Sequence, residues 1–112
     1  MIFTRLKLEI YLPESHLPAM QKALQSVDAG HIGNYDSCIA YSHVIGTWRP
    51  LTGARPYIGH EGEISKAPEI KIEVIIETQK LPATLSVIRT AHPYEEPLIN
   101  VLPLYNYTTP TV

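Results

Sequence analysis

Cysteine is nearly missing from this chain, with Cys38 the only one. An intrachain disulfide and a Cys-rich metal framework are therefore both excluded. Long apolar runs are missing as well. No window approaches the roughly 18 apolar residues that a membrane-spanning helix needs. The opening residues Met1-Ile2-Phe3-Thr4-Arg5-Leu6-Lys7 alternate charged with apolar side chains, which is not the basic start and continuous apolar stretch of a secretory signal. A cytoplasmic location is the expectation that follows from these missing signals. Blocks of like charge are also absent, and the net charge is only -2. Neutralising nucleic-acid phosphates needs a basic face, and adhering to an anionic bilayer needs a basic cluster. Neither nucleic acid nor membrane is expected as a partner. Glycine patterns that cradle phosphates, Gly-x-x-x-x-Gly-Lys-[Ser/Thr] and Gly-x-Gly-x-x-Gly, do not occur, and there is no Gly-x-Ser-x-Gly nucleophile elbow.

What is present fits one packed domain. The chain has 112 residues and is 45% apolar, enough for one core and too short for two. Leu6, Leu8, Ile10 and Leu12 alternate with Arg5, Lys7, Glu9 and Tyr11, the period of a half-buried strand. Pro13 ends it, and Ser15 is a candidate helix N-cap with Pro18 in the first turn. Leu17, Met20, Leu24 and Val27 then form one helical stripe, and Gly30 supplies a stop. After a loop, His31 to Ser37, a second strand is expected from Cys38 to about Gly46. The stretch from Thr47 to Pro68 is dense in glycine and proline and is expected to be a long functional or mobile loop. Ile70, Ile72, Val74 and Ile76 alternate with Lys71, Glu73, Ile75 and Glu77 in a third strand. Pro82 opens a second helix in which Leu81, Leu85 and Ile88 share a face with His92, and Pro93 closes it. The last strand, about Pro97 to Leu104, contains Pro103, which cannot donate to a ladder and so implies an edge or a bulge. Residues 105–112 read as a loosely docked tail.

This order, β-α-β-β-α-β, predicts an α+β ferredoxin-like fold: a four-stranded antiparallel sheet with two helices on one face. The other face carries no helix. Tyr41 and Ile75 are expected there, and exposed apolar side chains would favour burial against another copy in a closed oligomer.

Three separated stretches carry a family resemblance. They are Gly30-His31-Ile32-Gly33-Asn34-Tyr35, then Trp48-Arg49-Pro50-Leu51 with Gly53-Ala54-Arg55-Pro56-Tyr57-Ile58-Gly59, and His92-Pro93-Tyr94-Glu95-Glu96-Pro97-Leu98-Ile99. In this order they resemble the inserted domain of the Nif-three-like (YqfO) family over about residues 4 to 104, and the last of them also resembles the matching junction of CutA-type proteins. One departure is Ile45-Gly46-Thr47-Trp48, where the family has a more glycine-rich run ending in Phe. The resemblance implies a ferredoxin-like module related to CutA and the PII-type signalling proteins, which assemble as trimers. The family's dimetal site is similar only to flanking segments that this sequence does not contain, so the resemblance implies no metal here. The chain is expected to be a stand-alone version of the module.

The candidate ligand-binding residues are Asn34, Tyr35, Trp48, Arg49, Arg55, Tyr57, His92, Tyr94, Glu95 and Glu96; no catalytic residue, metal or cofactor is assigned. His92 beside Glu95 and Glu96 offers the parts of acid–base work. The alternative is a junction lock: His92 caps the helix, Tyr94 packs, and the carboxylates bond backbone N–H groups or Arg side chains. Gly33 and Asn34 suit a lip or a turn that needs positive φ. Trp48, Arg49, Arg55 and Tyr57 suit a planar or anionic ligand, or packing between subunits. The expected function is a non-enzymatic homo-oligomer, trimer ahead of dimer, with a small-ligand or divalent-metal sensor acting at intersubunit clefts as the alternative. A hydrolase using His92 ranks last.

Overall fold

A computed structural model describes residues 3–105. The element order is β1 (Arg5–Leu12), α1 (Leu17–Ser26), β2 (Ile39–Trp48), β3 (Ser65–Glu77), α2 (Leu81–Ala91) and β4 (Ile99–Pro103), with a 3₁₀ turn leading into each helix. The strands lie in the order β2-β3-β1-β4, and every pairing is antiparallel. The ferredoxin-like layout expected from the sequence is therefore the one found.

The core follows from two periods meeting. Leu6, Leu8, Ile10 and Leu12 of β1 and Ile70, Ile72, Val74 and Ile76 of β3 are buried on the same sheet face, and Met20, Leu24 and Ile88 of the helices cover them in one cluster. Each of these side chains contributes about 1.5–3 kcal/mol by leaving water. Thr84, wholly buried in α2, is satisfied by donating to the Lys80 carbonyl at 2.7 Å.

Several local expectations change. Ser15 does not cap α1, because Glu14–His16 forms a 3₁₀ turn and His16 occupies the cap position without a side-chain hydrogen bond. Pro13 presets the turn and Pro18 sits in the first helical turn, so rigid φ angles shape the entry where no side-chain cap does. The long loop shrinks to residues 49–64, because β2 runs on to Trp48 and pairs with a β3 that starts at Ser65. Pro68 is tolerated inside β3 because β1 ends opposite Ile70. Beyond that point β3 has a neighbour on one side only, so a missing N–H breaks no second ladder. Pro103 sits in the edge strand β4, as expected.

Tyr41 is on the helix side, not the open side. It pairs with Ile72, and directly opposed residues share a face. Its neighbour two residues on, His43, reaches Glu14 at 3.1 Å on that same side. The middle of the open face is charged, with exposed Leu102 opposite Lys7 beside the charges. Lys7 bonds Glu73 at 2.7 Å and lies 3.6 Å from Glu9, which also sits 3.7 Å from Lys71. Asn100 donates to Glu9 at 3.2 Å. Ile75 is only half-exposed among these charges. The expected tail spans 105–112; Tyr105 is exposed, and the rest of it lies outside the described residues.

Candidate functional site

At the end of the sheet where β1 stops and β3 enters, three segments converge: the paired ends of β2 and β3, the 49–64 loop, and the junction between α2 and β4. The loop is tied by its own backbone. Ala54 N–H donates to the Leu51 carbonyl at 3.0 Å, and Gly62 N–H to the Pro50 carbonyl at 2.8 Å. Thr52 donates to the Glu61 carboxylate at 3.0 Å. The Trp48 indole N–H reaches across to the Ile58 carbonyl at 3.0 Å. Gly59 permits that approach: its φ is +111°, and a Cβ there would overlap the Ser65 hydroxyl.

The junction ties the loop to the sheet. The His92 backbone N–H still bonds the Ile88 carbonyl at 2.9 Å, but its own backbone is extended, which ends α2 ahead of Pro93. The His92 ring is buried, with Nε2 at 2.7 Å from the Tyr11 carbonyl and Nδ1 at 3.2 Å from the Tyr94 backbone nitrogen. A carbonyl only accepts and an amide N–H only donates, so Nε2 carries the proton and Nδ1 does not. The ring is neutral. Burial lowers its pKa from the ordinary 6.5, only partly offset by the bond to Tyr11.

Tyr94 is the hub. Its hydroxyl donates to Glu69 at 2.8 Å, and its ring lies 5.0 Å from His92 and 6.0 Å from both Trp48 and Tyr57, centroid to centroid. Burial first, and then the bond to Glu69, raises the pKa of the phenol well above its usual value. Glu69 itself is only 6% exposed. Room for it comes from Gly46 on β2, where a Cβ would overlap the carboxylate. Glu95 accepts the Arg55 backbone N–H at 2.7 Å, fastening the loop down.

Together these residues wall a cleft of about 410 Å³, within the size range of small-molecule sites. Of the sequence-predicted residues, Trp48, Arg49, Tyr57, Tyr94, Glu95 and Glu96 line it. Arg55 contributes its backbone to the rim, and His92 stands behind Tyr94. A single chain brings them together. Assembly is therefore not needed to gather them. The loop is held by its own domain.

Asn34 and Tyr35 do not join. They belong to a tight turn in which Ile32 and Tyr35 exchange both backbone hydrogen bonds, at 2.8 and 2.9 Å. Gly33 at φ +57° takes the positive angle there, whereas Asn34 does not; Asp28, Gly30 and Ser37 are the other residues nearby that do. That turn precedes the start of β2, and the cleft lies at its end. Ten strand residues put the two about 30 Å apart.

Sequence reasoning missed Tyr11 and Glu69. Both sit at positions that read as solvent-facing in their strands. The available signal was Gly46, a glycine in a strand of good strand formers, which marks a close approach.

The geometry suits holding a ligand better than proton transfer. Both His92 nitrogens are spent, the Tyr94 proton is held, and Glu69 and Glu95 each serve a structural bond. Among the described residues no three His, Cys, Asp or Glu side chains converge as a metal would require. Cys38 points its thiol at the Asp36 carbonyl, 3.6 Å away, near the other turn.

No family model matches the chain. It is 41% identical over 101 residues to a GTP cyclohydrolase 1 type 2 homolog of Halalkalibacterium halodurans, covering 89% of this chain and 27% of that protein. The chain thus spans about a quarter of the length of the curated relatives it matches. Among solved structures, a Bacillus cereus protein related to NIF3 superposes with a TM-score of 0.81 at 35% identity, over 93% of this chain and 26% of the other. CutA1 from Shewanella sp. SIB1 superposes at 0.71 over 96% and 88%, with 16% identity, a likeness of fold alone. Sequence and fold together make this chain a relative of one segment of the NIF3/YqfO-type proteins, in the ferredoxin-like architecture that CutA shares.

Proposed function

We propose that this chain is a non-enzymatic, homo-oligomeric binding module whose cleft holds a small ligand. The observation that carries the reading is a preformed cleft within one chain, its loop, junction and sheet already fastened by hydrogen bonds that Trp48 and Tyr94 donate and Glu95 accepts. A site that is ordered in advance loses less conformational entropy on binding.

The oligomer has a separate support. β2 is an edge strand of ten residues, Ile39–Trp48, with no Lys, Arg, Asp, Glu or Pro in it. Soluble proteins guard such edges with charge or proline, and an unguarded one is a template for another strand. A second copy is the economical partner, and a trimer, implied by the resemblance, is favoured over a dimer. Sedimentation at micromolar concentration is expected to give a trimer, and Ile45→Lys is expected to dissociate it. A monomer under these conditions rejects the assembly.

For the cleft, thermal shift against a small-molecule panel that includes divalent metal salts and GTP is expected to find stabilising compounds. Loss of that shift in Trp48→Leu would assign them to the cleft. If divalent ions alone shift the protein, and His92→Ala abolishes their effect, the metal-sensor reading replaces this one. Cytoplasmic residence belongs to the same proposal, and fractionation of the native host tests it.

A further inference from the structure

The chemistry of the cleft wall selects among ligands. Tyr11, Trp48, Tyr57 and Tyr94 present aromatic surface. Three carboxyl groups, Glu69, Glu95 and Glu96, share the wall with one guanidinium, Arg49, a carboxylate excess of two. Three donors at the cleft are turned to other uses, which leaves the Tyr11, Tyr57 and Thr47 hydroxyls and the Arg49 guanidinium in the lining. The Trp48 indole N–H is spent on the Ile58 carbonyl, the Arg55 amide on Glu95, and the Tyr94 hydroxyl on Glu69. A phosphate or carboxylate entering here would meet three carboxyl groups among the aromatic rings, with Arg49 as the one opposing charge. A cation meets the reverse: ring quadrupoles attract it and the carboxylate excess adds to the field. An apolar body is also favoured, because carbon makes up most of the lining.

We propose that the cleft takes a small organic ammonium ion carried on an apolar body, seated against the rings of Trp48, Tyr57 and Tyr94 and balanced by Glu96 with the neighbouring carboxylates. This rests on the binding-module reading and names the ligand class for it. Glu96 is the residue on which specificity turns, because it lines the cleft, is exposed, and has no role in fastening the loop.

Trp48 is the only tryptophan of the chain, so its fluorescence and its single indole N–H resonance report on the cleft without labelling. The probes are benzyltrimethylammonium, benzyl alcohol and benzenesulfonate, which carry one ring with positive, zero and negative charge. The ammonium ion is expected to perturb Trp48 and bind at least about tenfold more tightly than either of the others. Glu96→Gln is expected to weaken the ammonium ion about threefold and leave benzyl alcohol unchanged, with Trp48 emission in the free protein unaltered. If benzyl alcohol or benzenesulfonate binds as tightly as the ammonium ion, the charge preference is wrong while the binding module stands. If none of the three perturbs Trp48 up to about 10 mM, weaker than any useful site, the ammonium proposal falls, and the binding module falls with it only if the thermal-shift panel also finds no compound that depends on Trp48.

Discussion

At the turn that precedes β2, His31 places Nε2 on the Gly33 carbonyl at 2.9 Å and Nδ1 on the Asp28 carboxylate at 3.0 Å. At the cleft, His92 places one nitrogen on an acceptor and the other on a donor. Two acceptors favour the doubly protonated ring at His31; one of each fits the neutral ring at His92. The surroundings agree. Asp28, itself 3.6 Å from Lys80, raises the His31 pKa chiefly through its hydrogen bond, while burial lowers that of His92. The same residue type is thus a solvated surface charge at one end of the sheet and a packed structural strut at the other. Position along the sheet, not residue identity, sets the role.

The largest effect expected from breaking this contrast is at His92. His92→Ala removes a packed ring and leaves the Tyr11 carbonyl and Tyr94 N–H unpartnered, at a cost of about 3 kcal/mol in chemical unfolding. His31→Ala, at a solvated pair, is expected to leave the denaturation midpoint within experimental scatter. Equal losses at both sites would erase the distinction.

Next in size is Tyr94→Phe, which leaves the buried Glu69 carboxylate without its donor and is expected to cost about 1–3 kcal/mol. The glycines sharpen the comparison further. Gly46→Ala drives a methyl into the Glu69 carboxylate and is expected to cost about 1–3 kcal/mol and to shift Trp48 emission. Gly33→Ala meets nothing within 4 Å; only its positive φ is strained, for about 1 kcal/mol and no change at Trp48.

The smallest effects are those of pH, and they have opposite signs. The folded pKa of His92 is lowered, so the unfolded chain binds its proton first as pH falls. Its contribution is complete above about 6.5, the ordinary value, and is lost as pH drops toward the folded value. The folded pKa of His31 is raised, so its contribution is complete below that ordinary value and is lost as pH rises through the folded one. An NMR titration of the two imidazoles is expected to find His92 below 6.5 and His31 above it; the reverse order would overturn both tautomer assignments.

The fold was legible because periodicity survives in the primary structure. The alternation in β1 and β3 named eight core residues correctly, and the stripe through Met20 and Leu24 set the face of α1. The junction lock was legible in outline as well: His92 caps, Tyr94 packs, and a carboxylate takes a backbone N–H. Less was readable where neighbours decide. Ser15 has the composition of a cap, yet Pro13 and the 3₁₀ turn occupy that geometry. Pro68 looks like loop and lies in a strand, because nothing in a local window says where β1 ends beside it. Tyr41 was given the wrong face, since counting along β2 yields parity but not which parity meets the helices.

By itself, the sequence determined the order of elements, the core and the end of the sheet at which unusual residues gather, since hydrophobic period and proline placement are local properties. Only the tertiary structure decided that one chain closes the cleft, that Glu69 is buried under Tyr94 in the space Gly46 vacates, and that Asn34 and Tyr35 stand apart from it. Those outcomes depend on which strands lie side by side and in what register, and pairing between segments distant along the chain leaves no trace in any short stretch of it.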